Sequence, residues 1–390
     1  MSVSPRAVDI ATDAVRVGAW RRVRKLLVVR LDNLGDVLMA TPAIAALRAG
    51  LPDAHITLLA SPSGAAAVPF LADVDAAIVF AAAWVKGDGE AAAAALGRSE
   101  TELIERLRSA RFDAAVILTT CTQSALPAAL ACRMAGIPLR LAHCRENPYG
   151  LLSDWVSERD VVADGMRHEV ERQLALVASV GFIAADRRLR FAVPSAARSA
   201  VAARLARAGV DPARRLVVVH PGASAESRRY PAARFGVAAD RIARAADATI
   251  VLSGASEERP LIDDLRGAMT EPAISLAGQL DLGELAALVE AADVLVANNS
   301  GPAHLAAALG TPVVDLYALT NPQHTPWLVP ARVLNHSVPC RNCLKSRCPQ
   351  GHHDCLRRVA PEAVADAALD LLAPAAAASA AATLLAELPR

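Results

Sequence analysis

The stretch Lys25–Asp36 reads KLLVVRLDNLGD. Its first seven residues are an almost unbroken apolar run, the pattern of a short strand buried on both faces of a parallel sheet. A polar crest follows at once, Asp32-Asn33-Leu34-Gly35-Asp36, and then an apolar helical segment up to Ala49. Strand, crest and helix in that order open a βαβ unit, and the chain repeats the order on both sides of a central break.

In the first half, further strand-like runs are His55–Ala60, Ala76–Phe80, Ala114–Leu118 and Pro138–Ala142, with helical segments such as Glu102–Ala110 and Ser124–Ala135 between them. Residues 144–165 carry little pattern, and Met166–Val180 reads as one long helix. The alternation restarts at Arg215–His220 (RLVVVH), with strands expected at Thr249–Ser253, Ala273–Leu276, Asp293–Ala297 and Pro312–Tyr317. Helices fit at Pro231–Ala246, Glu257–Met269, Leu282–Ala292 and Pro302–Leu309. Alternation of this kind predicts an α/β protein with two Rossmann-like, doubly wound domains. The expected divisions are an extension at 1–24, a first domain at 25–165, a helical connection at 166–210, a second domain at 211–373 and an Ala-rich tail at 374–390. Ligands of such sheets bind outside the carboxyl ends of the strands.

Composition narrows the function classes. A chain of 390 residues with 54% hydrophobic content has material for two cores. Its 41 basic and 40 acidic residues nearly cancel, which argues against a nucleic-acid partner. Met1–Arg24 has no apolar core of a secretory signal. The segment closest to a membrane span, Leu369–Leu388, is mostly Ala and contains Pro374. Seven cysteines in such a chain read as reduced thiols or a metal site, and the expected location is the cytoplasm, with peripheral membrane contact open.

Three strand-to-helix crests carry the candidate chemistry. In the first, Asp36 can act as a general base toward a sugar hydroxyl, or Asp32 or Asp36 can simply cap the helix; Gly35 allows close backbone approach. The second is His220–Pro231 (HPGASAESRRYP), whose small residues expose N–H groups suited to phosphate and whose Arg228 or Arg229 can pair with it; ordinary solvated arginines are the bland alternative. The third is Asn298–His304 (NNSGPAH), a helix N-terminus with a hydroxyl and a glycine; His304 is either a ligand contact or a structural histidine. None is a dinucleotide or Walker fingerprint. A fourth cluster, Cys340-x2-Cys343-x4-Cys348-x6-Cys355 with His352 and His353 nearby, can hold a structural zinc, remain as thiols or form disulfides. Asp73-Val-Asp75 is read as a pair of turn acids, not as a metal–diphosphate site.

Taken together these motifs resemble the heptosyltransferase family, glycosyltransferase family nine, from about Lys25 to about Leu372. The carriers are the opening strand with Gly35-Asp36, the His220–Ala223 turn with Arg229-Tyr230-Pro231, and the run Ser300–Pro312 (SGPAHLAAALGTP). The resemblance implies a GT-B fold and a metal-independent, inverting transfer, typically from ADP-heptose. It implies Asp36 as general base, with Asp32, Asn33 and Gly35 on the acceptor side. It places Ser224 and Arg228, with Arg229 beside it, near the donor diphosphate, Glu257 or Glu258 near the ribose and Leu280 near adenine. Ser300, Gly301 and His304 match the turn that binds the diphosphate and sugar. Asn299 departs from the Asp usual there; it keeps an acceptor oxygen and loses the charge.

The leading expectation is therefore an enzyme that moves a heptose or related sugar from a nucleotide diphosphate to a hydroxyl acceptor: lipopolysaccharide core, another glycan or glycolipid, or a small molecule. No cofactor is expected for the chemistry. A GT-B-type epimerase or hydrolase and a non-catalytic nucleotide-sugar sensor are the alternatives.

Overall fold

The computed structural model describes residues 16–85 and 97–373. The first half runs β1 (Lys25–Arg30), α1 (Leu34–Gly50), β2 (His55–Ala60), β3 (Ala76–Val79), α2 (Arg98–Ala110), β4 (Ala114–Ile117), α3 (Leu126–Met134), β5 (Leu139–Cys144) and β6 (Asp154–Ser157). All neighbours pair in parallel, in the order β3-β2-β1-β4-β5-β6. Two helices follow, α4 (Glu169–Ala178) and α5 (Ser195–Arg207).

The second half runs β7 (Arg215–His220), α6 (Ala232–Ala246), β8 (Ala248–Leu252), α7 (Arg259–Gly267), β9 (Ala273–Ser275), α8 (Leu282–Ala291), β10 (Val294–Asn298), α9 (Gly301–Leu309), β11 (Val313–Leu316), β12 (Ala331–Leu334) and α10 (Pro361–Leu372). Its sheet order, β12-β11-β10-β7-β8-β9, is again fully parallel and repeats the first topology. This is the expected GT-B arrangement. In each sheet the strand order reverses beside the first strand, between β1 and β4 and between β7 and β10. A crevice opens outside the strand ends at such a switch point, and all three candidate crests lie at these two places.

Strand interiors are apolar because both sheet faces are covered by helices; β1 and β7 each have five of six residues buried. The long helix expected at Met166–Val180 is shorter, Glu169–Ala178. His168 stops it from starting earlier, because its ring Nδ1 accepts the Val170 N–H at 3.1 Å and so serves as the N-cap. β6 lies in the stretch read as patternless. The last residues of the expected extension also join the core: Trp20 is fully buried and its Nε1 donates to Asp154 Oδ2 at 3.1 Å. Residues 374–390 and 1–15 lie outside the described residues. Asp73 and Asp75 are structural acids, on Arg190 at 3.1 Å and on Arg48 with the Ile56 N–H.

The two halves share one apolar cluster. Val37, Leu38 and Ile44 of α1 belong to the same buried group as Leu295 of β10 and Ala303 and Leu305 of α9. The N-termini of α1 and α9 therefore meet, and the crests before them face a common cleft.

Candidate active site

The first-half wall is built on Arg30, the last residue of β1. Its guanidinium is wholly buried and lies 3.2 Å from Asp32, 3.2 Å from Asp36 and 3.0 Å from Glu169 of α4. Burial alone would lower the arginine pKa; the three carboxylates override that and hold it charged. Burial pushes Asp32 up, and Gln123 Nε2 donates to it at 2.7 Å. Burial acts on Asp36 in the same direction, but the charges of Arg30 first and then Arg228 oppose it, and its carboxyl sits below the usual range and is ionised.

Asp36 combines both readings of its crest. It is the third residue of α1, and its Oδ2 accepts the Asn33 N–H at 3.2 Å in a capping box. Its side chain remains 17% exposed and lines the cleft. Gly35 is needed for a reason beyond ligand approach: a Cβ there would stand 2.6 Å from Cδ2 of His304. His304 is accordingly packed against α1, and burial pushes its imidazole down to about 3, so it is neutral. Among the described residues its Nδ1 has no partner.

The second-half wall joins the turns after β7 and β10. Asn298 ties them, accepting the Tyr230 N–H at 2.8 Å and donating to the Pro221 carbonyl at 2.7 Å. Ser300 is the N-cap of α9, with Gly301 and Pro302 opening the helix, and its hydroxyl donates back to the Asn298 carbonyl at 3.2 Å. The two arginines of the second crest separate clearly. Arg229 Nε donates to the Ala223 carbonyl at 2.7 Å and braces the turn. Arg228 forms no ion pair among the described residues and lines the cleft. The two glutamates separate as well. Glu257 is exposed, whereas Glu258 lies on the cleft, so close to the Pro221–Ala223 turn that a Cβ on Gly222 would overlap its carboxylate. Leu280 packs against the core and lines neither of the cavities described next.

Two cavities meet at this centre. The larger, about 390 Å³, is lined by Gly35, Asp36, Ser224, Arg228, Glu258 and the Asn299–His304 turn. The smaller, about 250 Å³, is lined by Asp32, Thr120, Thr122, Asn321 and Lys345. Asn33, Asp36, Ser224, Arg228 and His324 border both. Such a pair suits two substrates that react across a shared wall, with an anionic carboxylate and a cationic guanidinium at the junction.

A model of glycosyltransferase family 9 (heptosyltransferase) matches residues 101–353. The chain belongs to this family. It is thus a glycosyltransferase. It is 27% identical over 367 residues to lipopolysaccharide heptosyltransferase 2 of Salmonella typhimurium, a match covering 89% of this chain and 98% of that protein. Two solved structures share the fold. A glycosyltransferase of family 9 from Veillonella parvula superposes with a TM-score of 0.73 at 22% identity, covering 90% of this chain and 97% of that one. The ADP-heptose lps heptosyltransferase II of E. coli superposes at 0.67 and 24% identity, covering 89% and 98%.

Within this glycosyltransferase, His324 is the main cleft residue that the sequence reading missed. It is buried and neutral, its pKa lowered to about 4 first by desolvation, and its Nε2 has no partner among the described residues. Nothing around it in ALTNPQHTPW marks it by spacing. The cysteines lie apart from the reacting centre. All four thiols are free, Cys340 Sγ is 3.7 Å from His352 Nε2, and among the described residues no group of three His, Cys, Asp or Glu side chains is placed to hold a metal. Their segment still matters to the site, because it carries Leu344, Lys345 and Ser346 to the smaller cavity. Ser227, one residue before Arg228, donates its N–H to the Ser346 carbonyl and its hydroxyl to that of Lys345. Among the described residues no helix is long and apolar enough to cross a membrane.

Proposed function

We propose that this glycosyltransferase moves a heptose from ADP-heptose to a hydroxyl of a lipopolysaccharide core acceptor, with inversion and without a divalent metal. The observation that carries the reading is the junction of two cavities at Asp36 and Arg228, in a chain whose relatives are lipopolysaccharide heptosyltransferases. The donor occupies the larger cavity. Its diphosphate meets the Arg228 guanidinium and the backbone N–H groups of Ser300 and Gly301 at the start of α9, where the helix dipole favours an anion. Glu258 is the carboxylate placed to accept from the ribose hydroxyls.

The acceptor occupies the smaller cavity and turns its hydroxyl to Asp36. Its oxygen attacks the anomeric carbon as the bond to the diphosphate breaks; the hydroxyl proton passes to Asp36, and ADP leaves with the bonding pair. A carboxylate of low pKa is a weak base toward a free alcohol. The hydroxyl becomes acidic as its C–O bond forms, so the proton moves late. Arg228 and the Ser300–Gly301 turn offset the charge that develops on the diphosphate. The reaction belongs in the cytoplasm, where nucleotide sugars are made, with the acceptor reached at the membrane surface.

The test is incubation of the purified protein with a panel of nucleotide sugars, with and without truncated core acceptors, read by product mass. A heptosylated acceptor formed from ADP-heptose is the expected result. Turnover of donor alone indicates an epimerase or hydrolase, and binding without turnover a sensor; either rejects the proposal.

A further inference from the structure

Asn299 stands at the carboxyl end of β10, and its carboxamide has a settled orientation. Nδ2 donates to the His324 carbonyl at 2.7 Å and to Asp315 Oδ2 at 3.1 Å. A carbonyl can only accept, so the nitrogen must face His324. Oδ1 is then turned away from both groups. It has no protein partner among the described residues, and Asn299 lines the larger cavity.

Behind it, Asp315 is fully buried in β11, paired in register with Ala297 of β10. Its side chain has one hydrogen-bond partner among the described residues, Asn299, and its Oδ1 has none. A buried carboxyl so poorly satisfied costs stability. The fold would be better served by an apolar residue on this strand, and the group that Asp315 does bond, Asn299, is the one that lines the donor cavity.

We propose that Asp315 is a positioning residue that holds the Asn299 carboxamide with its oxygen toward the donor's sugar, where it accepts a sugar hydroxyl. The proposal rests on reading the larger cavity as a nucleotide-sugar site. Its physical content is a division of labour. The group that touches the sugar is neutral, which spares the neighbouring diphosphate an adjacent like charge. The acidic group is set one strand back, where it orients and does not touch. It follows that an aspartate at 299 is poorly accommodated in this chain while Asp315 stands behind it. Two carboxylates would then lie about as close as the present hydrogen bond, and a third acceptor, the His324 carbonyl, would face them.

The experiment is a variant cycle on the full chain: Asp315→Ala, Asp315→Asn, Asn299→Asp and Asn299→Asp with Asp315→Asn. Each is assayed for the KM of ADP-heptose, for ADP affinity by calorimetry and for melting temperature. Asp315→Ala should raise the donor KM about tenfold, the value of one lost oriented hydrogen bond, with ADP affinity unchanged. Asp315→Asn can still present an oxygen to Asn299 and should rescue the KM to within about threefold. Asn299→Asp should be severely impaired and should recover when Asp315→Asn is added, a non-additive result. A donor KM unmoved by Asp315→Ala in a protein that binds ADP overturns the proposal. Should Asp315→Ala not fold, the Asn299→Asp cycle decides. A parent chain that neither binds ADP nor turns over ADP-heptose rejects the functional reading instead. In that case the melting temperatures judge the pairing: restoration in the double variant supports it, and additive losses overturn it.

Discussion

Gly35 of α1 and His304 of α9 are in such close approach that a Cβ on the glycine would stand 2.6 Å from the imidazole Cδ2. This is where the two halves touch at the reacting centre. Gly35→Ala should force the helix ends apart and cost about 1–3 kcal/mol of stability, as overpacking does. Turnover should fall further than stability does, since Asp36 is the next residue. His304→Ala in the same chain should restore part of both, and denaturant melts beside steady-state rates check it. Equal rates in Gly35→Ala and the parent would show that the helix ends have room to spare.

Asp36→Asn should keep the helix start, because the amide oxygen can still accept the Asn33 N–H. It removes the proton acceptor, so kcat should fall by roughly 10²–10⁴ while ADP affinity stays the same. The product assay and calorimetry separate the two. A variant as fast as the parent would take the base role away from Asp36.

Arg228→Ala should weaken ADP binding about tenfold or more, the scale of one charge-assisted hydrogen bond, with little change in melting temperature because Arg228 forms no ion pair among the described residues. Arg229→Ala should do the reverse in kind, loosening the turn through its lost bond to the Ala223 carbonyl. ADP titrations of both variants check the assignment, and unchanged affinity in Arg228→Ala would move the diphosphate elsewhere.

Turnover should survive exhaustive EDTA. A loss restored by magnesium rejects metal-free transfer. A loss accompanied by a lower melting temperature and restored by zinc belongs to the Cys340–Cys355 segment, which borders the smaller cavity.

Burial raises the Asp315 carboxyl to about 7, from an unfolded value near 4. Between these values the folded chain binds the extra proton. The stability this supplies is full below about pH 4 and is lost as pH rises through 7. Melting temperature should therefore fall from pH 5 to pH 8, and Asp315→Asn, which cannot ionise, should flatten that slope. Parallel slopes in both proteins would place Asp315's titration outside this window.

The sequence was most legible where burial dictates residue type. Apolar runs such as Arg215–His220 predicted the central strands, and β7 spans those same residues. Of the four edge strands, β3 (AAIV) and β9 (AIS) were legible from their small apolar residues, whereas β6 (DWVS) and β12 (ARVL) were not, because each mixes charged or polar residues with apolar ones. Crests at the switch points were legible because glycine and helix-start residues are required there. What linear spacing could not supply was side-chain direction. It could not separate Arg228 from Arg229 or Glu258 from Glu257, each pair being adjacent in sequence and opposite in outlook. Nor could it find His324, which borders both cavities, or Asp315, which stands behind Asn299 because β11 lies beside β10.

Helix α4 belongs to the connection between the halves, yet it grips both. Its Glu169 carboxylate holds Arg30 of the first half, while the Glu169 N–H donates to the Gln323 carbonyl and the His168 ring meets the Thr325 carbonyl, on either side of His324. The linker is thus a strut that joins the support of Asp36 to the segment bearing His324. A swing of the second half that let go of ADP would have to carry this strut along or break a buried ionic bond. The contact of α1 with α9 is apolar and, among the described residues, carries no such tie.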